Sequence, residues 1–381
     1  MNEHALHHLF EKPRIFQAPM AGAQDTRLAL AVCKAGGVGG VPAGMLGLPA
    51  LATTLETMRQ KAKLQDWWAV NFFCHTTPSP DEAAMGQWQS ALAPYYKEAG
   101  IDLAKFDGDA SRVPFGHDAC VLVERYVPPI VSFHFGLPHP DLLERVKLCG
   151  CLVVSTATTV AEALWLEQNG ADAIIAQGNE AGGHRGSFLR PHAPPLHGSL
   201  PPEGADLPWG GPAADLYFSS DTYLSSQIGT LALVPQIVAA VDVPVIAAGG
   251  IADAAGVRAA LALGASAVQV GTAYLCSKEA TTSAVHRAAL QSDAARHTAL
   301  TRLFSGRPAR GIVNRVMREL GPMSEAAPAF PLASAGMTPL RSHWEAKGSG
   351  DFSPLWAGQN VSACREATAA AITQSLAQGL R

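Results

Sequence analysis

Eight short apolar runs recur along the chain, and each is followed by a stretch with helical spacing. The runs are 14–22 (RIFQAPMAG), 38–44 (VGGVPAG), 69–74 (AVNFFC), 130–136 (IVSFHFG), 151–156 (CLVVST), 173–176 (AIIA), 244–250 (PVIAAGG) and 267–274 (AVQVGTAY). Apolar runs bounded by turn formers suit strands covered on both faces, as in a parallel sheet with helices packed against it. Helical spacing predicts helices over 26–34, 48–62, 82–99, 118–126, 140–148, 160–169, 230–241 and 254–263, with Gly36-Gly37 closing the first. The chain therefore reads as α/β, and eight strand–helix alternations are the number that closes a (β/α)8 TIM barrel. A doubly wound open sheet is the competing architecture. It wants a Gly-x-Gly-x-x-Gly turn opening its first helix, whereas Gly36-Gly37-Val38-Gly39-Gly40 follows a helix and precedes a strand.

Two stretches interrupt the rhythm. Residues 75–129 carry helical pattern without a strand, and 187–226 is dense in proline and glycine, with its core at Leu189–Ser226. Irregular segments of that length are uncommon inside a domain and tend to overhang a site. The expected organisation is one domain over 1–381, with insertions at about 75–129 and 187–226 and a helical extension after the eighth strand. Hydrophobic residues make up 48% against 16% charged, which sets the chain apart from disordered sequences. A formal charge of −4 gives no basic footprint, so nucleic acid is not an expected partner.

The seven cysteines are scattered, and only Cys149 and Cys151 lie close together. That is neither a zinc spacing nor a secreted disulfide frame, so reduced thiols and a cytoplasmic location are expected. The start, MNEHALHHLFEKPRIF, is too polar for a signal peptide, and no run approaches the roughly 20 apolar residues of a membrane span. His4, His7 and His8 share one helical face but lack a fourth ligand, so no metal is expected.

In a parallel barrel the chemistry lies at the C-terminal strand ends, and phosphate is often held after the seventh and eighth strands. Those ends carry Ala18-Pro19-Met20, Asn71, Gln177, Gly249-Gly250 and Gly271-Thr272. Glycine pairs there offer backbone N–H groups, and Thr272 adds a hydroxyl, which suits a phosphate monoester. Asn71 and Gln177 supply uncharged donors and acceptors, a match for a flat heterocycle such as an isoalloxazine. The sixth run opens into a glycine-rich loop with Glu180, Gly182, Gly183, His184 and Arg185, and the histidine is the group that moves protons near neutral pH. Asp25, Asp172 and Asp253 sit at element ends, where caps and turns use them. Arg307 and Arg310, in SGRPARG, are secondary candidates for an anion contact. Phosphate-loop, His-Glu-x-x-His and Gly-x-Ser-x-Gly signatures are absent.

Taken together, QAPMAG (17–22), NFF (71–73), AQG-EAGGHRG (176–186), AAGGIAD (247–253) and QVGT (269–272) resemble the nitronate monooxygenases, formerly called 2-nitropropane dioxygenases. The resemblance runs from about Arg14 to LWAGQ at 355–359. It implies an FMN-dependent barrel enzyme that oxidises alkyl nitronates with O2 to carbonyl compounds and nitrite. It also implies FMN contacts from Asn71, Gln177, Gly182, Gly250, Gln269, Val270, Gly271 and Thr272, with His184 as the catalytic histidine. A nitronate or nitroalkane and O2 are the implied partners, and a homodimer is left open. Tyr217, Tyr223 and Tyr274 are the candidates for the tyrosines such pockets use. Three other readings compete: an FMN-dependent enoyl-thioester reductase sharing the Gly-Gly-His loop, an inosinate-dehydrogenase type of barrel, and a non-catalytic flavin-holding module. The second needs a cysteine in the loop after the sixth strand, and none is present.

Overall fold

Eight parallel strands close on themselves in the computed structural model, which describes residues 6, 9–11, 15–79, 81–106, 112–189 and 221–380. In chain order the first six are β1 (Ile15–Gln17), β2 (Gly39–Pro42), β3 (Trp68–Phe73), β4 (Ile130–His134), β5 (Leu152–Ala157) and β6 (Ala173–Gln177). A two-residue strand, β7 (Gly183–His184), stands outside the barrel, which β8 (Val245–Ala248) and β9 (Ala267–Val270) complete. The order around the sheet is β1-β9-β8-β6-β5-β4-β3-β2. A bridge between Phe16 and Val38 joins the two ends, with Gln17 N–H donating to Val38 O at 2.9 Å and Val38 N–H to Ile15 O at 2.8 Å.

Strand side chains alternate between the two faces. Phe16, Ala69, Ile130, Leu152, Val154, Ala173, Ile175, Ile246 and Ala267 fill the barrel, while Val70, Val131, Val153, Ile174, Val268 and Val270 pack outward against the helices. Leu9, wholly buried, joins the interior cluster from the N-terminal side. Continued to the strand tips, the same parity turns Asn71, Phe73, Ser132, His134, Thr156, Gln177 and Gln269 toward the barrel mouth. Helices Thr26–Lys34, Glu82–Ala99 and Pro140–Leu148 have the predicted bounds. Asp25 and Asp253 cap helices, each accepting a backbone N–H at 2.8 Å. The eighth run is strand only to Val270; a single 3₁₀ turn, Thr272–Tyr274, follows it.

The region after β9 differs most from expectation. Its last helix, Ala369–Ala377, returns to the ring and packs against both Ala254–Ala262 and Thr26–Lys34. The intervening residues form an excursion between the eighth strand and its helix. That excursion holds β10 (Thr298–Thr301) and β11 (Ala309–Ile312), which with β7 make a second, antiparallel sheet in the order β10-β11-β7. It also holds the helix Ala333–Glu345, which packs on Glu82–Ala99. Trp88 Nε1–H donates to Ala333 O at 3.1 Å, and Tyr96 O–H to Gly336 O at 2.8 Å. Trp88, Leu92, Tyr96, Phe304, Met317, Met337, Leu340 and Phe352 form a second hydrophobic core there. Gly336 permits the contact, since a Cβ would stand 2.7 Å from Leu92 Cδ1. Helix His117–Tyr126, by contrast, joins the barrel's outer ring beside Leu48–Lys61 and Pro140–Leu148.

His4, His7, His8, Tyr217 and most of the 187–226 segment lie outside the described residues. Among the described residues no helix is long and apolar enough to cross a membrane, and no group of three or more His, Cys, Asp or Glu side chains is placed to hold a metal ion.

Candidate functional site

The barrel mouth opens into one pocket. Ala18, Pro19, Met20, Asn71, Gln177, Gly182, His184, Gly249, Gly250, Gln269, Gly271 and Thr272 all line it. Val270 does not. Two-residue periodicity sends its side chain into the helix-facing core, where it is buried, and only its carbonyl contributes locally, accepting Ala18 N–H at 2.8 Å. Asn71 is fixed by donating Nδ2–H to Ser132 Oγ at 2.9 Å.

The glycine-rich segment after β6 is held like part of the sheet. β7 pairs with β11, placing His184 opposite Ala309. The His184 carbonyl accepts from Gln177 Nε2 at 3.0 Å and lies 3.2 Å from His134 Nε2. Thr156 Oγ1, 3.2 Å from His134 Nδ1, can donate there and leave Nε2 as the protonated nitrogen. Gln177 Oε1 accepts Gly186 N–H at 2.9 Å, so both ends of this amide hold the loop. Arg185 is buried and donates to Gly178 O at 2.5 Å, Gln177 O at 2.9 Å and Gln227 Oε1 at 2.9 Å. Glu180 Oε2 accepts the N–H and O–H of Thr230, both at 2.8 Å, capping the next helix. Loop glycines and charges thus serve to bring one histidine to a fixed place.

His184 shows one side to the pocket and is otherwise enclosed by the rings of Phe73, Phe135, Phe330 and Trp356, with centroids 5.5 to 6.1 Å away. Its Nε2 lies 2.9 Å from the Oγ of wholly buried Ser305. Burial, followed by the charges of Arg112, His134 and Arg307, pushes its pKa well below the ordinary 6.5. The imidazole is therefore neutral at pH 7. Burial likewise lowers His134 to about 4 and His75 to about 3.

Arg112 and Arg341 also line the pocket, and among the described residues that line it there is no aspartate or glutamate. Burial first, then Arg341, lowers Arg112 to about 10, which leaves it charged at neutral pH. Its Nη1 is buried without a hydrogen-bond partner among the described residues. The arginines of SGRPARG stand elsewhere. Arg307 lies 4.4 Å over the Phe135 ring, and Arg310 donates to Asn179 O at 2.8 Å and Asn179 Oδ1 at 3.0 Å. Tyr223 and Tyr274 are also turned away. Their hydroxyls meet Ser187 Oγ at 2.7 Å and Thr373 Oγ1 at 2.9 Å, and neither lines the pocket.

At the other end, Gly249 and Gly250 have φ of +120° and +70°, a region that disfavours any side chain. Residues 357–360 cross these tips as a strap. Gly358 N–H donates to Thr272 Oγ1 at 2.9 Å, Gln359 N–H to Glu180 O at 2.9 Å, and Asn360 Nδ2–H to Gly250 O at 2.9 Å. Where the strap passes Gly182 the backbones are so close that a Cβ there would stand 2.6 Å from the Ala357 carbonyl carbon. Arg112, His134, Ser305, Arg341, Trp356 and Asn360 were not singled out from sequence. Strand parity could have found His134, and the LWAGQ motif points toward Trp356 and Asn360. Arg112, Ser305 and Arg341 carry no local signal.

The chain matches the family described as Nitronate monooxygenase over residues 3–200 and 211–379. It is 36% identical over 376 residues to the nitronate monooxygenase of Pseudomonas aeruginosa, covering 96% of each chain. It is 35% identical to that of Paraburkholderia phytofirmans, covering 97% of this chain and 93% of the relative. The solved structure of nitroalkane oxidase from Streptomyces ansochromogenes superposes with a TM-score of 0.81 at 34% identity, over 98% of this chain and 97% of the other. FabK from Thermotoga maritima shares the fold, with a TM-score of 0.67 at 24% identity over 98% and 94% of the two chains.

Proposed function

The chain belongs to the nitronate monooxygenase family of flavin-dependent oxidoreductases, and from that premise we propose that it uses FMN and O2 to convert alkyl nitronates into carbonyl compounds and nitrite. One observation carries the reading: the described lining of the pocket has no carboxylate, two arginines and, in His184, a half-buried imidazole whose pKa is held well below its ordinary value. Such a lining favours anionic ligands, and a flavin phosphate and a nitronate are both anions.

The residues present fit FMN. Gly250, Gly271 and Thr272 would receive the phosphate, where positive φ at Gly250 keeps the backbone free of a Cβ. Asn71, Gln269 and the Ala18–Met20 backbone would meet the polar edge of the ring system. When bound, the flavin supplies an acceptor for the nitronate's electrons and a route for them to O2.

The chain's own groups do the rest. Arg112 provides the positive potential that draws in a nitronate, with a smaller part from Arg341, whose Nε is paired with Glu345 Oε1 at 2.9 Å. Phe73 and Trp356 line the pocket as apolar walls that keep water from the reacting carbon. His184 has two roles open to it: as imidazolium it would hold the anion, and as neutral imidazole it would take the α-proton of a nitroalkane. The lowered pKa favours the second. Because the group is neutral above its depressed pKa, turnover of neutral nitroalkanes is expected to persist below pH 6.5. It fails only as the pH reaches the range where His184 itself takes up a proton.

The test is a two-armed addition to the FMN-loaded protein without oxygen. A nitronate should bleach the oxidised-flavin absorbance, and NADH or NADPH should not. In air, nitrite should accumulate as O2 is consumed. Rapid bleaching by a nicotinamide and none by a nitronate would favour the enoyl-thioester reductase reading instead. His184→Asn should keep FMN bound and lower kcat/KM for a neutral nitroalkane by about 10²–10⁴-fold, with a smaller loss for a preformed nitronate.

A further inference from the structure

We infer that Ser305 is a positioning residue that fixes neutral His184 with its proton on Nε2, leaving Nδ1 as the nitrogen that takes the substrate proton. The inference rests on the reading of His184 as a base. Its ground is the hydrogen-bond arithmetic of one buried hydroxyl.

Ser305 lies in the turn between β10 and β11 and is wholly buried. Its Oγ is 2.9 Å from His184 Nε2 and 3.3 Å from Arg307 O. A serine hydroxyl has one hydrogen and two lone pairs, and a carbonyl oxygen can only accept. The hydrogen therefore goes to Arg307 O, and the oxygen is left to accept from His184 Nε2–H. In a neutral imidazole that choice makes Nδ1 the lone-pair nitrogen.

The arrangement is held on every side. β11 carries the end of the turn that contains Ser305 and pairs with His184 through Ala309. Arg185 N–H donates to Pro308 O at 2.9 Å, one residue past Arg307. The His184 backbone carbonyl is gripped by Gln177, with His134 beside it, which fixes the strand tip from which the ring projects. Phe73, Phe135, Phe330 and Trp356 surround the ring with side chains that bring no hydrogen-bond acceptor, the indole N–H being a donor only. The charged or titratable groups that face it are Arg112, His134, Arg307 and His75. All four oppose a second proton on the ring. A serine placed only for packing would gain nothing over alanine, because a buried hydroxyl costs stability unless it is paired.

The experiment reads the tautomer directly. In ¹⁵N-histidine-labelled protein at pH 7, two-bond nitrogen–proton correlations for His184, identified by its loss in His184→Asn, distinguish protonated Nε2 from protonated Nδ1. The wild-type protein should show protonated Nε2, and protonated Nδ1 would overturn the inference whatever the turnover. Ser305→Ala should mix the two tautomers and lower kcat for a neutral nitroalkane by about 10–100-fold, with KM nearly unchanged. It should also displace the acid limb of the kcat profile. Ser305→Thr, which restores the hydroxyl, should recover most of each. A Ser305→Ala variant with the wild-type tautomer and pH profile would also sink the idea. If wild type shows protonated Nε2 but turns over no nitroalkane or nitronate, the proposed function fails while the assignment of Ser305 to the imidazole stands.

Discussion

The barrel and the second core are built by opposite rules. Except where β1 closes the ring against β9, each barrel strand pairs with the barrel strand before or after it in the chain, and parity along it decides what faces the mouth. The second core joins helix Glu82–Ala99 to residues from Leu303 to Phe352, segments that share no pattern and meet only in the fold. The two also divide the site. Strand tips supply Asn71, Gln269, Gly250 and Thr272, the groups suited to a cofactor, while the excursion after β9 supplies Ser305, Arg341 and Trp356, which surround the proposed base and the anion. The part that repeats holds what the proposed chemistry shares, and the part that does not repeat shapes what it acts on.

The largest test of that division is Trp88→Ala. The side chain is wholly buried and its Nε1 reaches across to Ala333, so truncation should cost about 3–5 kcal/mol in urea unfolding. If the second core is a cooperative unit of its own, turnover should be lost at lower urea than bound FMN is released. Coincident transitions would erase the distinction.

A smaller effect probes the seam between the two regions. His75 packs between Phe73 of β3 and Phe330 of the excursion, and burial holds its pKa near 3. The unfolded chain takes up this proton near the ordinary 6.5, so between about pH 6.5 and 3 the unfolded state binds more protons than the native one. Stability should therefore fall as pH drops through that window, by up to about 1.4 kcal/mol per pH unit from this histidine. His134 and His286, both lowered to about 4 by burial, act with the same sign. His75→Leu should flatten the slope of unfolding free energy against pH, and an unchanged slope would show that the seam does not keep this ring uncharged.

The smallest effect belongs to the barrel. Gly250→Ala meets no hard clash, its Cβ lying 3.4 Å from Glu180 Cβ, but it imposes a side chain on φ +70°. The expected cost is about 1 kcal/mol of stability, with FMN binding weakened several-fold while the pH profile of turnover stays put. A shifted profile would mean that cofactor and base are not separately supported.

This contrast explains what was legible in the sequence. The strands, their helices and most of the pocket lining follow from apolar runs and their polar ends, because each signal lies within a few residues of its consequence. Parity applied along AVQV turns the Val270 side chain away from the pocket and leaves only its backbone near the strand tip. The tyrosines failed for another reason. Tyr223 and Tyr274 were chosen by residue type, and their hydroxyls are committed to Ser187 and Thr373, partners that no spacing announces. β10 and β11 are four residues each and carry no strong alternation, so the sheet that holds His184 was invisible until β7 was seen beside it. Arg112, Ser305 and Arg341 depend on that same long-range assembly.

The strap at 357–360 has a consequence for the birth of the protein. Chains emerge from the ribosome beginning at the N-terminus, and early segments fold while later ones are still being made. Here the bonds to Thr272 and Gly250 come from Gly358 and Asn360, which follow them by 86 and 110 residues. Chains halted before residue 358 should hold the proposed flavin more weakly than longer ones, even with all eight strands already made.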